Sequence, residues 1–491
     1  MRAAMRNHGI GSWPARQARS RPGAAAVVHR DRTRSYAELA GRAQAVARLL
    51  LDLGVERGDR VAYLGPNHPG FLATLFGAGL AGAVFVPLNT RHSDAELAFA
   101  LRDADAAVLV HDPRHAASAR ALATGGLRTV DVAELDGLPG GEPVDEPVDL
   151  DDLAMILYTS GTTGRPKGAM LTHGNLTWNA LNVLVDVDIT SEEVTLVSAP
   201  LFHTAALGMT CLPTLLKGGA VLLEESFDPD RTLDLVERHR VTCLFGVPTM
   251  FDALSRSARW AEADLGSVRF LLCGGAPVPP DLLRRYRARG LAIRQGYGLT
   301  EASPSVLLQP QGDERVGSAG APAFFTDVRL RTPEGQPPEP GAPGELQVRG
   351  ANVVRGYWQR PDADPRTADG WLRTGDVATA DDDGHYRVVD RLKDMFISGG
   401  ENVYPAEVEA VLREHPGVVD AAVVGLPDPV WGETGRAVVV ARPGVTEREL
   451  LDFARERLAG YKVPKSVRFA DALPRNPTGK LDKRALREQE G

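Results

Sequence analysis

The stretch Ala154-Met-Ile-Leu-Tyr-Thr-Ser-Gly-Thr-Thr-Gly-Arg-Pro-Lys-Gly168 runs from an apolar strand into a turn rich in glycine and threonine. Gly161 and Gly164 let the backbone approach an anion closely and turn its N–H groups inward. Ser160, Thr162 and Thr163 add hydroxyl donors and Lys167 adds a positive charge, so the segment reads as a cradle for a polyphosphate. The order is Gly161-x-x-Gly164-x-x-Lys167-Gly168. A Walker A loop needs G-x-x-x-x-G-K-[ST], so this is a different kind of phosphate turn.

Outward from that strand, helix and strand signals alternate. Upstream, Ser35-Tyr-Ala-Glu38 is a capping-box pattern followed by an apolar periodic run to Leu53. Val61–Leu64 and Ala107–Val110 read as strands, and Ser93-Asp-Ala-Glu96 is a second capping box. Gly70–Leu88 carries no charge and is long enough to span a bilayer, but Gly77, Gly79 and Gly82 punctuate it. It reads as a buried helix, a turn and a buried strand. The rhythm continues to about Leu308 and implies parallel sheets covered by helices. Beyond Thr332 the texture changes. Pro333–Gly344 is a turn-rich connector, and Glu345–Val348 and Tyr386–Val389 read as strands of a smaller β unit. After Asp390 a separate α+β pattern begins, with a helix over Pro405–Leu412, strands over Ala421–Val424 and Ala437–Val440, a helix cap at Thr446–Glu449 and a strand over Lys465–Phe469. The expectation is an α/β fold with an N-terminal domain over 1–390, its β subdomain at about 315–390, and a small C-terminal domain over 391–491.

The chain has 491 residues, enough for about three structural units. Acidic residues outnumber basic ones, 64 to 56, for a net charge of −8. That balance disfavours a broad polyanion surface, so no nucleic-acid partner is expected. Cys211, Cys243 and Cys273 are far apart and form no C-x-x-C pair. A disulfide framework and a cysteine zinc site are therefore excluded, and a reducing, cytoplasmic setting is expected. Met1–Arg21 lacks the apolar core of a signal peptide. His68, His173 and His239 show no H-E-x-x-H spacing, and no metalloenzyme motif emerges.

Four further motifs lie in order along the chain: Gly296-Tyr-Gly-Leu-Thr-Glu301, Thr374-Gly-Asp376, Asp390-Arg-Leu-Lys-Asp-Met-Phe-Ile-Ser-Gly-Gly-Glu-Asn-Val403 and Pro474-Arg-Asn-Pro-Thr-Gly-Lys480. With the phosphate turn, they resemble the adenylate-forming superfamily of acyl-CoA synthetases, peptide-synthetase adenylation domains and luciferases. The resemblance implies that a carboxylate attacks the α-phosphorus of MgATP, giving an acyl-adenylate and pyrophosphate. It assigns the β- and γ-phosphates to Thr159–Lys167 (Thr159, Ser160, Gly161, Thr162, Thr163, Gly164 and Lys167). Thr300 falls to the α-phosphate and Glu301 to Mg²⁺, an ion that favours carboxylates shared with phosphate oxygens. Adenine falls to Gly274, Gly275, Ala276 and Tyr297, and the ribose to Asp376 and Arg391. Lys480 is the expected catalytic lysine, bridging the carboxylate and the α-phosphate. His203, in Pro200-Leu-Phe-His203, stands where the family has an aromatic gate beside the acyl carboxylate.

The hinge motif implies a second half-reaction. Lys393 would be the pivot of a mobile C-terminal domain, and Ser398, Gly399 and Gly400 would form a bare face for the arm of CoA. Ile397–Val408 resembles the fatty-acid branch of acyl-CoA synthetases, and Gly432, Glu433, Tyr461 and Lys462 match C-terminal positions of it. No carrier domain follows Lys480 before Gly491, which favours free CoA as acceptor. Pocket walls are expected from Phe202–Gly208, Gly246–Met250, Gly274–Ala276 and Gly296–Leu308, which contain no Arg or Lys. A dicarboxylate is therefore disfavoured. A medium- or long-chain fatty acid is the first expectation, with an aryl acid or an amine acceptor as alternatives and a non-catalytic homologue last. The expected partners are the acid, ATP and CoA, for a monomer or homodimer without a transmembrane segment and with room for peripheral membrane contact.

Overall fold

Runs such as Arg60–Leu64 and Val84–Leu88 are apolar on both faces, the pattern of strands buried within a parallel sheet. A computed structural model describes residues 6–140, 142–159, 166–313, 315–392, 394–398, 401–429, 431–458, 460–475 and 480–490. It contains two compact units: Met1–Val328 with Val348–Leu372, and Arg329–Gln347 with Arg373–Gly491.

The first unit is built on two sheets. The six-stranded sheet runs in the order Arg128–Asp131, Ala106–His111, Arg60–Leu64, Val84–Leu88, Leu153–Thr159, Lys167–Thr172. Its first five strands are parallel and the last is antiparallel. The nine-stranded sheet runs Ala321–Pro322, Ser305–Leu308, Ile293–Gly298, Phe270–Cys273, Cys243–Gly246, Val194–Val197, Ala220–Leu223, Ala25–His29, Arg32–Ser35. From Ile293–Gly298 to Ala25–His29 it is parallel, with antiparallel strands at both edges.

Both expected capping boxes form, opening the helices Tyr36–Asp52 and Asp94–Asp103. The charge-free stretch becomes the wholly buried helix Pro69–Leu80, a turn at Gly82 and the buried strand Val84–Leu88. A Cβ on Gly77 would lie 2.8 Å from Val46 Cγ1, so the glycine lets this helix pack closely on Tyr36–Asp52. No described helix is long and apolar enough to cross a membrane. One core, including Val27, Phe71, Phe76, Phe85 and Leu223, draws on both sheets and these helices.

The second unit holds a five-stranded sheet made of Glu401–Val403, Phe396–Ser398, Gly432–Ala441, Val418–Asp428 and Ser466–Phe469. Helices Pro405–Arg413 and Glu447–Arg455 contribute Val408, Leu412 and Leu450 to its core. A four-stranded sheet in the order Thr326–Arg331, Gly344–Gly350, Leu372–Ala380, Tyr386–Arg391 completes the chain's sheets among the described residues. Most of this β element groups with the C-terminal residues. A local cause is visible at the strand end. Asp390 Oδ2 accepts a 2.7 Å hydrogen bond from the backbone N–H of Ala406, fastening the strand to the helix that follows.

Candidate active site

In a parallel α/β sheet, ligands bind beyond the carboxyl ends of the strands. Four neighbouring parallel strands of the nine-stranded sheet end at Val197, Gly246, Cys273 and Gly298. The segments expected to line the pocket lead out of these ends. Gly274 lies where a Cβ would come 3.5 Å from the Gly296 carbonyl oxygen and 3.7 Å from Phe245. Gly275 has φ +84°, a backbone conformation that favours glycine. Tyr297, half-buried, pairs with Leu307 on the adjacent antiparallel strand.

His203 immediately precedes the helical turn Thr204–Ala206, and its ring meets that of buried Phe202 at 4.8 Å. The chain continues as a π-helical turn over Leu207–Cys211, a form often found at functional sites. A Cβ on Gly208 would fall 2.6 Å from Pro304 Cδ and from the Ser303 carbonyl oxygen. The helix after His203 therefore packs directly on the loop after Glu301. Thr300 and Glu301 themselves sit in a single 3-10 turn, Thr300–Ala302.

Thr159 and Lys167 are paired across the hairpin that carries the phosphate turn, with Thr159 Oγ1 3.4 Å from the Lys167 carbonyl oxygen. Ser160, Gly161, Thr162, Thr163 and Gly164 lie outside the described residues, as do Lys393, Gly399 and Gly400. Lys167 Nζ lies 5.2 Å from the ring centroid of Tyr357. The Tyr357 hydroxyl donates a 2.7 Å hydrogen bond to Glu301 Oε1. Burial, followed by the Glu301 charge and this hydrogen bond, raises the phenol's pKa, so it stays protonated and donating. Sequence reading missed Tyr357, because its partners are 190 and 56 positions away; its only local signal is the aromatic pair Tyr357-Trp358.

Among the described residues no three or more His, Cys, Asp or Glu side chains converge on a metal-sized site. Glu301 is thus a single carboxylate, the kind of ligand Mg²⁺ uses when substrate phosphates and water supply the rest. The three cysteines are free and buried, and burial pushes the Cys243 thiol up to about 12. His68 and His173 are depressed to about 4 by burial, and each accepts a backbone hydrogen bond, so their roles are structural.

In the second unit, Asp376 and Arg391 are cross-strand partners, with Arg391 Nε 3.4 Å from Asp376 Oδ1. Desolvation and then the Arg391 charge lower the pKa of Lys480, while Asp376 opposes the shift. Three residues from three separate motifs are therefore electrostatically coupled. Ser398 is buried between its strand partners Glu401 and Gly432, and the alternation of the strand exposes Ile397.

This chain belongs to the AMP-binding enzyme family: the family model matches residues 14–358, and that of the AMP-binding enzyme C-terminal domain matches 407–480. It is an AMP-forming acid–thiol ligase of the acyl-CoA synthetase branch. It is 58% identical to a feruloyl-CoA synthase of an Amycolatopsis species, over 99% of this chain and 100% of that one. Identity to a long-chain-fatty-acid CoA ligase of Mycobacterium tuberculosis is 39%, over 93% of each. The structure of ATP-bound MatB from Rhodopseudomonas palustris superposes with a TM-score of 0.91 at 35% identity, covering 98% of both chains.

Proposed function

We propose that the chain activates an aryl acid of the hydroxycinnamate type with MgATP and passes the acyl group to CoA. The observation that carries this reading is the 58% identity to feruloyl-CoA synthase along the whole chain, against 39% for the long-chain ligase. The cation-free pocket walls suit a flat, uncharged aryl tail as well as a fatty acyl chain. Phe202 and Phe245, both buried, stand in or directly before two of the segments expected to wall the acyl site.

In this reading a carboxylate oxygen attacks the α-phosphorus, the bond to the bridging β-phosphate oxygen breaks, and pyrophosphate leaves. Residues 159–167 hold the β- and γ-phosphates, Thr300 donates to the α-phosphate, and Gly274–Ala276 with Tyr297 holds adenine. Asp376 accepts from the ribose hydroxyls, with Arg391 beside it. Glu301 holds Mg²⁺, which neutralises phosphate charge. Lys480 places an ammonium between the two anionic reactants, where transition-state charge concentrates. His203 gates the acyl carboxylate. The domain then turns about Lys393 and presents Ser398, Gly399 and Gly400 to the pantetheine arm. The CoA sulfur attacks the acyl carbon, and AMP leaves.

Acid-dependent ATP–pyrophosphate exchange across a panel of acids tests the substrate class. Ferulate and 4-coumarate should exceed octanoate and palmitate by at least about tenfold in kcat/KM, the discrimination of a pocket shaped for one apolar group over another. Equal or faster exchange with palmitate would restore the fatty-acid assignment.

A further inference from the structure

The segment Ala351–Trp358 straps the phosphate hairpin to the turn that carries Glu301. Asn352 Nδ2 donates to the carbonyl oxygens of Ala302 and Ser305, at 2.9 and 2.8 Å. The Val354 N–H donates to the Glu301 carbonyl oxygen at 2.9 Å. Further along, the Trp358 N–H donates to the Gly168 carbonyl oxygen at 2.7 Å, and the Met170 N–H returns a 3.2 Å bond to Gly356. Tyr357 sits between these anchors. Its hydroxyl holds Glu301 Oε1 and its ring faces the Lys167 ammonium.

We infer that Tyr357 is a positioning residue that couples the metal-binding carboxylate to the phosphate-binding lysine. This rests on the reading of Glu301 as the Mg²⁺ ligand. A carboxylate with one oxygen fixed by a neutral donor keeps lone pairs for a cation and loses its freedom to rotate away. The ring face attracts the ammonium of Lys167 and restricts where the long side chain swings. One side chain thus sets the spacing between the cation that neutralises the phosphates and the lysine that binds them. Hydroxyl and ring act on different partners, so they are separable by substitution.

The test uses Tyr357→Phe, Tyr357→Leu and Glu301→Gln in the full chain. Pyrophosphate release is measured against free Mg²⁺, and ATP binding is measured by calorimetry with Mg²⁺ and with EDTA. Tyr357→Phe should raise the Mg²⁺ needed for half-maximal rate by about tenfold, as expected for one hydrogen bond to a charged group. ATP affinity in EDTA should stay unchanged. Tyr357→Leu should give the same Mg²⁺ shift and also weaken ATP binding in EDTA. A folded Tyr357→Phe protein with unaltered Mg²⁺ dependence would overturn the inference, as would equal losses of ATP affinity with and without Mg²⁺. If Glu301→Gln shifts the Mg²⁺ dependence and Tyr357→Phe does not, the coupling alone fails. If Glu301→Gln shifts nothing, the metal assignment itself fails.

Discussion

Arg391 Nε and Asp376 Oδ1 stand 3.4 Å apart on adjacent antiparallel strands, joining a residue of the third motif to one of the hinge motif. Arg391 is half exposed, so the pair contributes little to folding, about 1 kcal/mol or less. In the proposed reaction the pair holds a carboxylate ready for a ribose. Asp376→Asn should therefore raise the KM for ATP by about ten- to a hundredfold, the worth of one or two charge-assisted hydrogen bonds. Its melting temperature should stay close to that of the unaltered protein, as initial-rate kinetics and a thermal melt would show together.

In the proposed reaction Lys480 acts as an ammonium that stabilises the developing charge. Its pKa is lowered by desolvation and by Arg391 and supported by Asp376. Rising pH through that lowered pKa removes the charge, so the alkaline limb of kcat/KM for adenylation should fall below the ordinary lysine range. This profile reports the free enzyme. Arg391→Gln removes a lowering influence and should move the limb to higher pH. Asp376→Asn removes a raising one and should move it lower. A pH–rate series on the three proteins gives the order; an Arg391→Gln limb that moves downward would contradict it.

Asn67 is a fastening in the fold of the first unit. Its Nδ2 donates to the carbonyl oxygens of Val197, Ala199 and Glu224 at 3.2, 2.9 and 3.0 Å, and its Oδ1 accepts from the Leu201 N–H at 2.8 Å. These bonds tie the end of strand Arg60–Leu64 to the loop that leads to His203. Asn67→Ala strands several buried polar groups and should cost about 2–3 kcal/mol. Denaturant midpoints would measure that loss. The KM for the acid should rise more than the KM for ATP, because the loosened loop is a wall of the proposed acyl site.

What was legible in the sequence was local. Ser35 with Glu38 and Ser93 with Glu96 cap helices within four residues, and the glycines of Gly296–Gly298 fit a strand end. Gly298 is needed because a Cβ there would collide with the Pro304 carbonyl. Tyr357 and Asn67 were not legible. Their hydrogen-bond partners lie 56 and about 130 positions away, so nothing beside them in the chain marks them. Ser398 is buried by the alternation of its strand, a placement that its glycine neighbours do not signal. The β element at 329–347 and 373–390 read as an appendage of the first domain. Its fastening to helix Pro405–Arg413 through Asp390 depends on tertiary geometry.

In the proposed reaction Lys480 serves the first half-reaction, and thioester formation uses another face of the same domain. The direct measurement separates the two in Lys480→Ala. Acid-dependent adenylate formation from ATP should fall by at least about a hundredfold, as for a removed electrostatic group in a transition state. Thioester formation from supplied acyl-adenylate and CoA should stay within a few fold of the unaltered rate. Equal loss of both half-reactions would contradict the division.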